Sequence, residues 1–206
     1  MFFQLAAEKI RLCYNKTAKN KKGGYEMKVI VVLGSPRENG NSTVLAREVL
    51  RGAKEAGNET VVYDIDKMDV RGCCGCNFCR ENSADCRRKD DLQRYWKDLH
   101  ECGALIVSSP NYYSQAVGPM ITFMNRHYCL TDAKGEKRLE PGKKIVGVFA
   151  QGNSDAEAYR KQYEWYLSVF EKCGMKRAGL LVSAGTEPVS SDSELMQRAF
   201  QLGKSL

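Results

Sequence analysis

An α/β fold, a doubly wound parallel sheet of five strands with helices on both faces, is predicted by three observations in this 206-residue chain. From Met27 onward, apolar runs of strand length alternate with amphipathic stretches of helix length. The first apolar run passes through a loop rich in glycine, hydroxyl and amide groups directly into a helical stretch. The residues after Met27 suffice for five such strand-helix units and one core.

The strands are expected at 28–33, 60–65, 103–109, 144–150 and 178–183, and the helices at 42–57, 89–101, 117–129, 155–173 and 191–204. Asp90 and Asp91 are expected to cap the second helix, and Gly174 to end the fourth after Glu171-Lys172-Cys173. In the fourth helix Tyr159, Tyr163, Tyr166 and Phe170 form a stripe that faces the core or a subunit interface, while Trp165 falls off that stripe. His100 and His127 stand on helices without evident partners, and neither reads as catalytic.

Composition excludes several classes. Hydrophobic residues are 43% and charged residues 28%, as in an ordinary globular protein and unlike a disordered or collagenous chain. No apolar run approaches the roughly 18–20 residues of a membrane helix. The net charge of +7 is concentrated at the start. Residues 1–26 hold six basic side chains against Glu8 and Glu26, which leaves 26 basic and 23 acidic residues for 27–206. A domain so nearly balanced does not read as a nucleic-acid binder. Residues 1–26 read as a basic extension, with Asn20-Lys21-Lys22-Gly23-Gly24 as its linker and Met27 at the first strand. They lack a secretory pattern, so reduced thiols and a cytoplasmic location are expected.

The first strand leads into Gly34-Ser35-Pro36-Arg37-Glu38-Asn39-Gly40-Asn41-Ser42-Thr43. A helix that starts just after a buried strand offers free N–H donors and a positive dipole end. Ser35, Ser42 and Thr43 add hydroxyls, Asn41 an amide, and Arg37 a fork for phosphate oxygens. Walker A spacing is absent, with Asn41 where its lysine would stand, and so is the Gly-x-Gly-x-x-Gly dinucleotide fingerprint. The loop therefore suits a terminal phosphate monoester.

The stretch from Met27 to Thr43 resembles the opening of the flavodoxin-like NAD(P)H-dependent FMN reductases and, within them, the iron-sulfur flavoproteins. The resemblance runs from residue 27 to about 200 and implies strand order 2-1-3-4-5, with the loop after strand one on the FMN phosphate. Two more loops match that pattern. Pro110-Asn111-Tyr112-Tyr113-Ser114 follows strand three, and Gln151-Gly152-Asn153 follows strand four. Tyr112 and Tyr113 are expected at an aromatic edge of the flavin, and the backbone near Gly152 at its pyrimidine edge. Asn125-Arg126 departs from the Asp-Arg usual in the family.

Nine cysteines are present, five of them between Cys73 and Cys86. Cys73, Cys76, Cys79 and Cys86 have the spacing Cys-x2-Cys-x2-Cys-x6-Cys, with Cys74 outside the rhythm. Three close thiols and a nearby fourth suit an iron-sulfur cubane better than structural zinc, and a redox Cys-x-x-Cys pair is a third reading. The resemblance implies a [4Fe–4S] cluster on these four residues. Cys13, Cys102, Cys129 and Cys173 are isolated and read as buried small apolar groups or surface thiols.

Together these readings lead to an FMN-dependent oxidoreductase. It takes hydride from NAD(P)H and passes electrons through the cluster to a quinone, flavin or redox-protein acceptor. The flavin supplies the chemistry, so no catalytic side chain is assigned. A homodimer or homotetramer is expected, with no nucleic-acid or membrane partner. Two alternatives are a flavodoxin-type carrier without NAD(P)H activity and a plain NAD(P)H:FMN or quinone reductase without a cluster. A third is a zinc-bearing binding module.

Overall fold

The structure, a computed structural model, describes residues 27–206. The expected extension over residues 1–26, with Cys13, lies outside the described residues. Six strands form one sheet: β1 (Lys28–Leu33), β2 (Glu59–Asp64), β3 (Ala104–Tyr112), β4 (Gln115–Ala116), β5 (Lys144–Gln151) and β6 (Lys176–Ala184). Five of them are parallel in the order β2-β1-β3-β5-β6, the topology expected for a flavodoxin-like sheet. The sixth, β4, was not anticipated; it pairs antiparallel with the end of β3.

Six helices cover the two faces: α1 (Asn41–Glu55), α2 (Phe78–Glu81), α3 (Leu92–Glu101), α4 (Gly118–Arg126), α5 (Arg160–Lys172) and α6 (Glu194–Lys204). Short 3₁₀ turns lie at Ile65–Lys67 and His127–Leu130. The alternation of side chains along β1 explains the layering. Val29, Val31 and Leu33 pack with Leu45 and Val49 of α1 and Ala199 of α6. Ile30 and Val32 face the opposite cluster, with Tyr95 and Trp96 of α3, Phe123 of α4 and Phe170 of α5.

Several boundaries move for physical reasons. β3 runs to Tyr112 rather than stopping before Pro110. Its pairing with β1 ends at Ser108, so the N–H that proline lacks interrupts no bond to that neighbour. The helix expected from 89 begins at Leu92, and Asp91 at its N-cap makes no side-chain cap bond. Asp90 caps it instead by accepting from Leu92 N at 3.2 Å. Gly174 ends α5 as expected, at φ +107°; its N–H donates to Glu171 O at 2.9 Å and Met175 N–H to Phe170 O at 3.2 Å, a Schellman pair. Tyr163, Tyr166 and Phe170 are buried as the stripe required, while Trp165 is 59% exposed. No helix among the described residues is long and apolar enough to cross a membrane.

The histidines are a correction: both have partners. His127 is buried, with Nδ1 on Phe123 O at 2.9 Å and Nε2 on the Tyr95 hydroxyl at 2.7 Å. His100 Nε2 lies 2.9 Å from Asp85. Tyr95 and Asp85 leave no trace in the sequence as partners, because they lie 32 and 15 positions away from the histidines that they meet.

Candidate functional site

Three loops leave the carboxyl ends of adjacent strands β1, β3 and β5, where ligands of open α/β sheets bind. The first is the loop 34–40, which delivers the chain to α1. Gly40 at the N-cap offers no side chain, and no acidic residue stands in the first turn. The N–H groups of this turn are therefore unclaimed by any cap, and the dipole end is not neutralised. Ser42 Oγ is buried here without a hydrogen-bond partner among the described residues. Burying a hydroxyl unpaired costs free energy, so its position points to a ligand acceptor. Arg37 is exposed at the same loop, and its guanidinium is unpaired among the described residues.

The other predicted side chains of this loop have local duties. Ser35 Oγ accepts from Arg37 N at 3.1 Å, and Thr43 Oγ1 donates to Arg37 O at 3.2 Å, which sets the curve of the loop. Asn41 reaches across to the chain after β6, donating to Glu187 O at 2.8 Å and accepting from Val189 N at 3.1 Å. These three shape the cradle, and its side-chain donors are Ser42 and Arg37. One further hydroxyl was not anticipated. Ser108 Oγ, buried opposite Leu33 in β3, is also without a partner among the described residues. Its signal was the serine that breaks an otherwise apolar strand.

The second and third loops are joined by Tyr163 of α5. Asn111 Nδ2 donates to the Tyr163 hydroxyl at 2.9 Å, and that hydroxyl donates to Gln151 Oε1 at 2.9 Å. Burial pushes the Tyr163 hydroxyl up to about 12, although the Asn111 bond works the other way. Gln151 Nε2 donates to Asp155 O at 2.6 Å and Asn153 O at 3.2 Å, so its amide is committed to holding the 151–155 turn. Asn153 also belongs to that turn, with Oδ1 accepting from Asp155 N at 2.9 Å. Around Gly152 the nearest atom a Cβ would meet is Thr186 Cγ2 at 3.9 Å, so the backbone there is open to approach.

Beyond Pro110 and Asn111, β3 and β4 form a two-residue hairpin with Tyr113 and Ser114 at its tip, at φ 51° and 62°. Two successive residues in the left-handed region make a turn that favours Asn-Gly, so Tyr113-Ser114 holds strain there. Tyr112 is 43% exposed and Tyr113 fully exposed. The hairpin thus presents two aromatic rings at the carboxyl end of the central strand.

The cysteine loop leaves the end of β2. Cys73, Cys74, Cys76, Cys79 and Cys86 line one cavity of about 230 Å³, together with Phe78, Arg87, Arg88 and Tyr128. All four predicted ligands meet there, and Cys74 joins them. Among the described residues no three metal-ligating side chains converge as on a single ion. The five thiols share the lining of one cavity without being gathered into a formed ligand set. Cys79 is seated by α2 in the core, and burial raises its pKa. Cys86 is fixed from outside: Gln93 Nε2 donates to its carbonyl at 3.0 Å, and the preceding Asp85 pairs with Arg138 at 3.1 Å and with His100. Cys74 has its pKa lowered, by a hydrogen bond from Cys76 first and by Arg88 among the weaker causes. Cys102 and Cys173 are buried elsewhere as small core groups, whereas buried Cys129 lies beside Cys79 and Cys86.

A flavodoxin-like sheet with an uncapped anion cradle, an aromatic hairpin and a glycine turn at the carboxyl ends of its inner strands defines the flavin-binding class of α/β proteins. Within that class, the chain belongs to the NADPH-dependent FMN reductase family, whose pattern it matches over residues 27–184. It is 36% identical over 129 residues to an iron-sulfur flavoprotein of Methanocaldococcus jannaschii, a match over 63% of this chain and 66% of the relative's length. Its fold is similar to that of an NAD(P)H:quinone oxidoreductase from Methanothermobacter marburgensis, with TM-score 0.67 and 18% identity over 87% of this chain and 96% of that one. It is likewise similar to a Streptococcus pneumoniae flavodoxin, with TM-score 0.55 and 16% identity over 86% and 94% of the two chains.

Proposed function

We propose that this protein is an FMN-dependent oxidoreductase that draws hydride from NAD(P)H and passes electrons to a small-molecule or protein acceptor by way of a [4Fe–4S] cluster. The observation that carries the reading is the orphaned Ser42 hydroxyl at an uncapped helix start, beside the unpaired Arg37. Two free donors and a positive dipole end fit a phosphate monoester such as that of FMN.

In this reading the N–H groups of residues 41–43, Ser42 Oγ and Arg37 hold the phosphate. Ser108 supplies a further hydroxyl at the floor of the site. The Tyr112-Tyr113 hairpin limits one side of the ring pocket and shields it from water. The open backbone at Gly152 offers N–H and C=O groups to a ring edge. The Asn111–Tyr163–Gln151 chain keeps these two loops in register. FMN, when bound, supplies hydride acceptance and stepwise electron release, and this is why no acid-base side chain is required. Cys73, Cys76, Cys79 and Cys86 would hold the cluster, which supplies single-electron transfer. Exposed Trp165 and Tyr113 support assembly of two or four copies.

The test is one anaerobic preparation assayed for flavin, iron, sulfide and zinc, followed by absorbance on addition of NADH or NADPH. The reading expects FMN, about four irons per chain, and rapid bleaching by a nicotinamide. Flavin that resists both nicotinamides would make the protein a flavodoxin-type carrier. Bleaching with zinc or no metal bound would leave a plain FMN reductase.

A further inference from the structure

The neck of the cysteine loop is closed around one buried guanidinium. The Arg126 side chain, at the end of α4, has no exposed surface, and neither does that of Asp90. Arg126 Nη1 donates to Arg71 O at 2.7 Å and to Asp90 Oδ2, and Nη2 donates to Asp90 Oδ1 at 3.3 Å. Asp90 Oδ2 accepts from Arg71 N at 3.2 Å, so the carboxylate and guanidinium bind both polar groups of one residue. Further out, Asp91 Oδ2 accepts from Asp69 N at 2.7 Å and Asp91 N donates to Asp69 O at 3.2 Å. Residues 69–71 and 90–91 are thereby stitched together, and the loop between them carries all five clustered cysteines.

Two more facts connect this clamp with the thiols. Arg126 Nε is buried without a hydrogen-bond partner among the described residues. The thiol of Cys86, the last of the four spaced cysteines, lies beside the guanidinium.

We propose that Arg126 is a positioning residue for the metal ligands: through Asp90 and Arg71 it fixes the neck of the cysteine loop. This rests on the cluster reading above. A fork is needed because one group must hold a carbonyl and a carboxylate together, which an ammonium does with looser geometry. A pair that served folding alone would loosen the whole core when altered. A clamp would loosen only the loop it closes.

The experiment compares the full chain with Arg126→Lys and with the double variant Arg126→Met/Asp90→Met, which leaves no single charge stranded in the core. Iron, sulfide and FMN are measured in anaerobic preparations. Each protein is then stripped of metal with a chelator, and the rate of N-ethylmaleimide alkylation is mapped cysteine by cysteine. Cys79 and Cys86 should react roughly tenfold faster in both variants, while Cys102 and Cys173 stay as slow as in the parent. FMN content should persist and iron should fall by at least half. Unchanged rates at Cys79 and Cys86, or rates that rise in step with those of Cys102 and Cys173, would overturn the proposal. If the parent holds no iron, the cluster reading fails, and the alkylation rates still decide whether Arg126 clamps the loop.

Discussion

Gly203 of α6 lies so close to α1 that a Cβ on it would stand 1.9 Å from the Val49 carbonyl oxygen. The contact is mutual, for a Cβ on Gly52 would stand 2.1 Å from Phe200 O. The two helix backbones touch at this crossing, and α1 is the helix whose first turn forms the anion cradle. Gly203→Ala should therefore force the helices apart and destabilise the domain by about 3 kcal/mol. Urea unfolding gives the number, and a loss below about 0.5 kcal/mol would show that the crossing tolerates a side chain.

Ser42→Ala should separate ligand binding from stability. The hydroxyl has no partner among the described residues, so its removal should leave the apoprotein as stable as before or slightly more so. FMN should nonetheless bind about tenfold more weakly. Arg37→Ala should weaken binding similarly at low salt, with the difference shrinking as salt rises, because Arg37 is exposed. Flavin titration of the apoproteins at two ionic strengths checks both. Equal affinity in parent and variants would remove the phosphate assignment.

Cys76→Ser should abolish iron and the broad cluster absorbance and leave FMN in place, because the thiol cavity and the phosphate cradle follow different strands. Cys74→Ser should keep most of the iron, although Cys74 lines the same cavity. Iron assays on anaerobic protein decide this. A variant pattern in which Cys74 matters and Cys76 does not would mean that the ligand set differs from the three-residue rhythm.

Acid should weaken the fold through His127. Its Nδ1–H donates to Phe123 O, and its Nε2 accepts from Tyr95, which fixes the neutral ring. Tyr95, Trp96, Phe123 and Phe170 surround it edge-on. Burial depresses its pKa from 6.5 to about 4. The unfolded chain thus takes up a proton before the folded one does. The stabilisation is complete above pH 6.5 and drains away as pH falls toward 4, by about 3 kcal/mol. In His127→Gln this limb of the stability profile should be missing, as denaturant melts from pH 7 to pH 4 would show. Parallel profiles for the two proteins would contradict it.

The sequence by itself determined the parallel sheet, the position of the donor-rich loop after the first strand and the four spaced cysteines. These are local properties: alternating burial along a strand, amphipathic spacing along a helix, and donors within a ten-residue loop. It was silent on α2 and β4, whose four and two residues are too short to show a period. Tyr113-Ser114 gave no turn signal, because neither residue is one that a left-handed turn normally selects. Only the tertiary structure decided which donors stand free. Asn41 is claimed by the backbone 146 positions away at Glu187, and Ser42 beside it by nothing among the described residues. Arg126 meets Asp90 across 36 positions and makes a neck for the cysteine loop. Such pairings follow from how elements stack against the sheet, and the packing of one element on another leaves no periodic trace in either.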